Sequence, residues 1–140
     1  MATKTKVSTD LELSRAVEDA TGKVKVASIQ ALEAAVDKAA KEITSQTKAK
    51  APRRTGVYAK GWKSKKEQGR VGTYGRVVYQ DNKPTLTHLL ENGHEIKGPA
   101  FYSKRKSRTD PIPHITSADD AEKIFEDALV DEMEKELRKV

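Results

Sequence analysis

The chain's 140 residues suit one domain with a small core, because 36% are hydrophobic and 5% aromatic against 34% charged. The absence of cysteine excludes disulfides, thiolate catalysis and zinc–thiolate sites. No stretch approaches the roughly 18 consecutive apolar residues of a membrane helix or the apolar region of a signal peptide, so the expectation is a soluble chain not secreted by that route and without a membrane partner. The net charge of +6 is uneven: residues 41–76 hold eleven Lys or Arg and two acids, whereas residues 117–140 hold four basic and nine acidic residues. Such polarity suits a solvated surface, one side that meets nucleic acid, or copies associating head to tail.

Residues 1–10 lack periodicity and read as a disordered tail, leaving 11–140 as a single domain. Ser8, Thr9 or Asp10 can cap a short helix from Leu11, which Gly22 is expected to interrupt. A second helix runs from about Lys23 to Lys50. Its Val26, Ile29, Leu32, Val36, Ala39 or Ala40 and Ile43 recur at spacings of three and four on one face, and Ala31, Ala34 and Ala35 permit close approach. Pro52 has no amide proton and disfavours helix at Ala51, so the helix should stop near Lys50. Pro52, Thr55 and Gly56 then form a structural corner, and Arg53 and Arg54 are either part of that turn or candidate contacts.

Beyond the corner, residues 57–67 alternate as a strand, Gly69 marks a turn, and residues 70–80 give a second strand, together a hairpin. Asp81–Pro84 is a turn. Residues 85–92 read as a short helix, with Thr85 or Thr87 as cap and Gly93 as stop, so that His88, Leu89, Leu90, Glu91, Gly93 and His94 make a helix–loop motif. A flexible basic loop occupies 95–111. Pro111–Ile115 is extended and is a candidate edge strand. From Ser117, a capping residue, to Leu137 the pattern is helical, with Ile124, Phe125, Ala128, Leu129, Met133 and Leu137 as its buried face. The fold class is α+β: a small, mainly antiparallel sheet packed against a long N-terminal helix and a C-terminal helix.

No nucleophile elbow, phosphate-binding glycine loop or paired-carboxylate pattern is visible, so neither a catalytic set nor a cofactor is expected. His88, His94 and His114 have no carboxylate at a ligand spacing, which argues against metal. For His88 and His94 helix-end hydrogen bonding is expected, and for His114 an anchoring role before the last helix. Lys63, Lys65, Lys66 and Arg70 on the hairpin, with Arg53, Arg54 and the loop residues Lys104, Arg105, Lys106 and Arg108, are candidate DNA or subunit contacts through phosphates or charge. A merely solvated face explains them equally well.

Three features in order resemble one family. A helix runs into Ala51-Pro52 and then Thr55-Gly56, a hairpin leads to a helix ending in Glu91-Asn92-Gly93, and Pro113-His114-Ile115 leads to the last helix. In this the chain resembles the tail-completion, or head-to-tail joining, proteins of long non-contractile-tailed phages, over roughly residues 11–138. The basic insertion Lys97–Arg108 departs from the pattern. The resemblance implies a non-enzymatic virion component of the neck, in the host cytoplasm during assembly. There it would form a six-fold ring with copies of itself, touch other neck and tail proteins and meet genomic DNA in the lumen. The alternative is a small non-specific nucleic-acid-binding protein that uses the basic hairpin.

Overall fold

The computed structural model describes residues 10–67, 74–96 and 108–140. Helix α1, Asp10–Lys50, is one continuous helix of 41 residues, with Asp10 and Glu12 in its first turn and Lys48 and Lys50 in its last, the signs that favour each end of the helix dipole. The expected break at Gly22 does not occur. Gly22 is exposed and has open space around it. Helix propagation gains one hydrogen bond per residue, so a single residue costing about 1 kcal/mol does not end a helix that neither proline nor a cap interrupts. The end at Lys50 falls where Pro52 places it.

Helix α4, Ala118–Leu137, runs back along α1 in the opposite direction, with Ile124 and Ala128 beside Ala39–Gln46 and Glu136 near Val26–Gln30. Ser117 caps it, its hydroxyl accepting from the Asp120 amide at 3.1 Å. The buried residues on the side of α1 that faces α4 are alanines, Ala27, Ala31, Ala35 and Ala39, met by Ala128 on α4, while Ala40, about 100° round the helix from Ala39, is buried on a different side. The larger residues expected on the buried face of α1 flank this seam instead. Val26 is 56% exposed, and Ile29, Leu32, Val36 and Ile43 are half-buried. A ridge of alanines four apart lets the helix backbones approach, which pushes bulkier side chains to the sides. On α4 the expected face is half-buried or buried from Ile124 to Met133, but Leu137 is exposed.

The expected first strand is shorter at its start. Residues Val57–Lys60 form helix α2, and only Trp62–Lys66 form strand β1. Gly56, at φ 74°, reverses the chain into α2, and Tyr58, Ala59 and Trp62 then share one buried side at helical rather than alternating spacing. Strand β2, Arg76–Gln80, pairs antiparallel with β1, Trp62 opposite Gln80 and Lys66 opposite Arg76, and the hairpin lies against α1. The turn expected at Gly69 and residues 70–73 of the expected second strand lie outside the described residues, and that strand begins only at Arg76, since Tyr74 and Gly75 before it are not strand.

A 3-10 turn, Pro84–Leu86, leads into α3, Thr87–Asn92; neither Thr85 nor Thr87 caps through its side chain. Pro111–Ile115 carries no regular secondary structure, bends at Ile115 and does not join the sheet as an edge strand; the amide of Ile112 bonds instead to the carbonyl of Leu90 at 2.7 Å. The tail residues 1–9 and loop residues 97–107 lie outside the described residues. The base of that loop is fastened by an isolated bridge between Glu95 and Arg108.

Candidate functional site

The corner after α1 carries the second core of the molecule. Ala51, Tyr58, Ala59 and Trp62 are buried there, with Val78 and Leu90 packed against them. Into this cluster the segment before α4 inserts His114, which is 1% exposed. The rings of Tyr58, Trp62 and His114 meet edge to face, with centroids 5.5–6.2 Å apart.

Polar contacts fix the insertion. His114 Nδ1 lies 2.7 Å from the Ile112 carbonyl and 3.0 Å from Glu91 Oε2, both acceptors, so Nδ1 carries a proton. In the neutral ring, Nε2 then accepts from the Tyr58 hydroxyl at 2.8 Å. One carboxylate oxygen of Glu91 also accepts the backbone amides of His114 and Ile115, at 2.8 and 3.2 Å. On the other side, the buried Gln80 donates to the Tyr58 carbonyl at 2.7 Å, and Asn82 donates to that of Val57 at 2.8 Å. The Trp62 indole N–H finds no acceptor among the described residues.

Gly93, the last residue of the Glu91-Asn92-Gly93 pattern, has φ 69°, and a Cβ there would collide with the Thr109 carbonyl. The motif is therefore a clamp. Glu91 holds the incoming chain by its amides, and Gly93 turns the backbone beneath the returning segment Thr109–Pro111.

The structure brings the helix–loop motif and the corner together through His114 and Tyr58. The motif's other polar members lie outside this cluster: His88 is exposed on α3, and His94 Nδ1 is 3.1 Å from the Thr109 hydroxyl. Among the described residues no group of three or more His, Cys, Asp or Glu could hold a metal ion. Tyr58, Trp62, Gln80 and Asn82 are missed by sequence reasoning; the helical spacing of Tyr58, Ala59 and Trp62 was the available signal.

The candidate contact residues divide. Lys63 is paired with Asp81, whose hydrogen bond and charge hold the ammonium above its ordinary value. Lys65 lies over the Tyr79 ring, 5.0 Å from its centre. Lys66 lines a cleft of about 360 Å³ that it shares with Glu33, Asp37 and Glu67. Arg108 donates to the Asn92 carbonyl. Arg53, by contrast, lines a cleft of about 280 Å³ with Lys48 and Lys60 beside Gly56 and Ala59, Arg54 is exposed nearby, and among the described residues no carboxylate pairs with these cations. Arg70, Lys104, Arg105 and Lys106 lie outside the described residues.

The fold and this junction define a structural module, in which the buried polar side chains fasten one segment of the chain to another. The family model described as "Bacteriophage HK97-gp10, putative tail-component" matches residues 12–93, from the start of α1 to the glycine of the clamp and more than half of the chain. The chain belongs to this family of bacteriophage tail components. No curated protein and no solved structure matches it.

Proposed function

We propose that the chain is a non-enzymatic structural subunit of the phage neck, which completes the tail and joins it to the head as one member of a closed ring. The family match carries this reading, because it spans α1, the corner and the Glu91–Gly93 clamp. A monomer built this way has a thin core. Its buried apolar residues are mostly alanine, and Leu11, Leu13, Val17, Val24 and Val26 on α1 are all 44% exposed or more. Neighbours in an assembly would supply the missing cover. Its partners are then copies of itself and adjoining neck and tail proteins, and its location is the virion neck after assembly in the host cytoplasm.

Deleting the gene from its parent phage and imaging the lysate by electron microscopy tests the role. Separate filled heads and tails, rescued by complementation, are the expected result. Normal infectious particles would overturn it. A second reading, non-specific contact with DNA phosphates, is favoured by the cleft of Lys48, Arg53 and Lys60, and suits a subunit whose corner faces the lumen.

A further inference from the structure

An apolar stripe runs along α1. Leu13, Val17, Ala20, Val24, Ala27 and Ala31 alternate spacings of four and three, the rhythm of a helix packed along another helix, and Ala35 and Ala39 continue it by fours. From Ala27 onward the stripe is buried in the seam with α4. Before Ala27, it is open: Leu13 and Val17 are each 55% exposed and Val24 is 44% exposed. One flank of the open half is suited to burial, because Thr21 donates to the Val17 carbonyl at 2.7 Å and Ser28 to the Val24 carbonyl at 2.8 Å, so covering it strands neither hydroxyl.

Helix α4 carries a second stripe with the same rhythm. Val130 and Leu137, seven apart, lie on a side turned away from the buried Ala128 and are 58% and 42% exposed, with the half-buried Met133 at the edge of the stripe. We propose that the open half of α1 packs on this outer stripe of α4 in a second copy of the chain, continuing with a neighbour's helix the seam that its own α4 begins. The partner's identity rests on the ring-subunit reading. The two patches are different surfaces, so the contact is heterologous and propagates from copy to copy, as a ring where the rotation closes, instead of closing a dimer.

Sedimentation velocity on the full chain over a concentration series tests this, comparing wild type with the double variant V17D/V24D. Both side chains are exposed, so the variant's circular dichroism and melting temperature should match wild type. Its self-association should weaken tenfold or more, at least about 1.4 kcal/mol. Because the chain has no cysteine, a variant carrying both Val17→Cys and Val130→Cys, two exposed positions, should oxidise to a ladder of trimers and higher species, whereas Val17→Cys alone should not cross-link. The proposal falls if wild type stays monomeric at every concentration, if V17D/V24D associates like wild type, or if Val17→Cys alone gives dimers, which would mean that α1 meets α1. Rings that survive V17D/V24D would remove this surface and leave the ring reading standing. Normal particles from the deletion phage would remove the joining role and leave the interface.

Discussion

Gly56 and Gly93 both hold positive φ, at 74° and 69°, yet alanine should affect them differently. At Gly56 nothing lies within 4 Å of an added Cβ, so Gly56→Ala meets only left-handed backbone strain, about 1–2 kcal/mol. At Gly93 the Cβ also meets the Thr109 carbonyl, a backbone atom that moves only with its segment. Gly93→Ala should therefore lose more than about 3 kcal/mol in urea denaturation. Glu91→Gln tests the other half of the clamp. One carboxylate oxygen serves the His114 and Ile115 amides and sits 3.0 Å from His114 Nδ1, and the neutral amide is a weaker acceptor. A loss of about 1–3 kcal/mol is expected, and a variant as stable as wild type would show that the carboxylate charge contributes nothing. Both motifs were visible in the sequence as patterns, Glu91–Gly93 and Pro113–Ile115. That they hold each other was not, because local spacing carries no information about contacts made across twenty residues of intervening chain.

Between elements, the seam of α1 and α4 depends on small side chains. Ala31 is 0% exposed, so Ala31→Leu must part the helices and should cost about 1–3 kcal/mol, whereas Val26→Ala, at a position 56% exposed, should stay within about 0.5 kcal/mol by the same thermal or urea assay. Lys38 joins the helices at the rim, 3.0 Å from Asp131, and that hydrogen bond raises its pKa above the ordinary 10.5. A raised pKa in the folded state means that the folded chain holds the proton more tightly. The contribution is thus full below 10.5 and fades as pH climbs through the raised value. A series of melting temperatures for wild type and Lys38→Met should show a small difference at neutral pH that closes in strong alkali. The sequence made the elements themselves largely legible: Pro52 ends α1, Ser117 caps α4, and the hairpin pairs in the expected order. It misled where two weak local signals competed. Gly22 suggested a break that cooperative propagation overrode, and Val57-Tyr58-Ala59 alternated well enough to hide a helical turn set by Gly56.

Over the whole molecule, charge is sorted by neighbour as well as by chain position. The hairpin is rich in lysine, but Asp81 engages Lys63, the Tyr79 ring lies under Lys65, and Lys66 lines a cleft with Glu33, Glu67 and Asp37, the last already bonded to Arg76. At the corner, Lys48, Arg53 and Lys60 share one cleft in which no acid takes part. If DNA passes this protein, its phosphates should therefore find the corner before the hairpin, since an ion pair must open before its cation can release counterions from DNA. The measurement is affinity for duplex DNA as a function of salt. Each phosphate contact contributes about 0.9 to the slope of log affinity against log salt. Replacing Lys48, Arg53 and Lys60 by glutamine should lower that slope by about 2–3 and weaken binding alike on every sequence. Replacing Lys63, Lys65 and Lys66 should change it by less than about 1, because their charge is already partly answered within the fold. The reverse ranking would move the nucleic-acid face to the hairpin, and equal, negligible slopes for all forms would leave the corner cations as solvated ends of α1 and α2, with binding carried by protein partners alone.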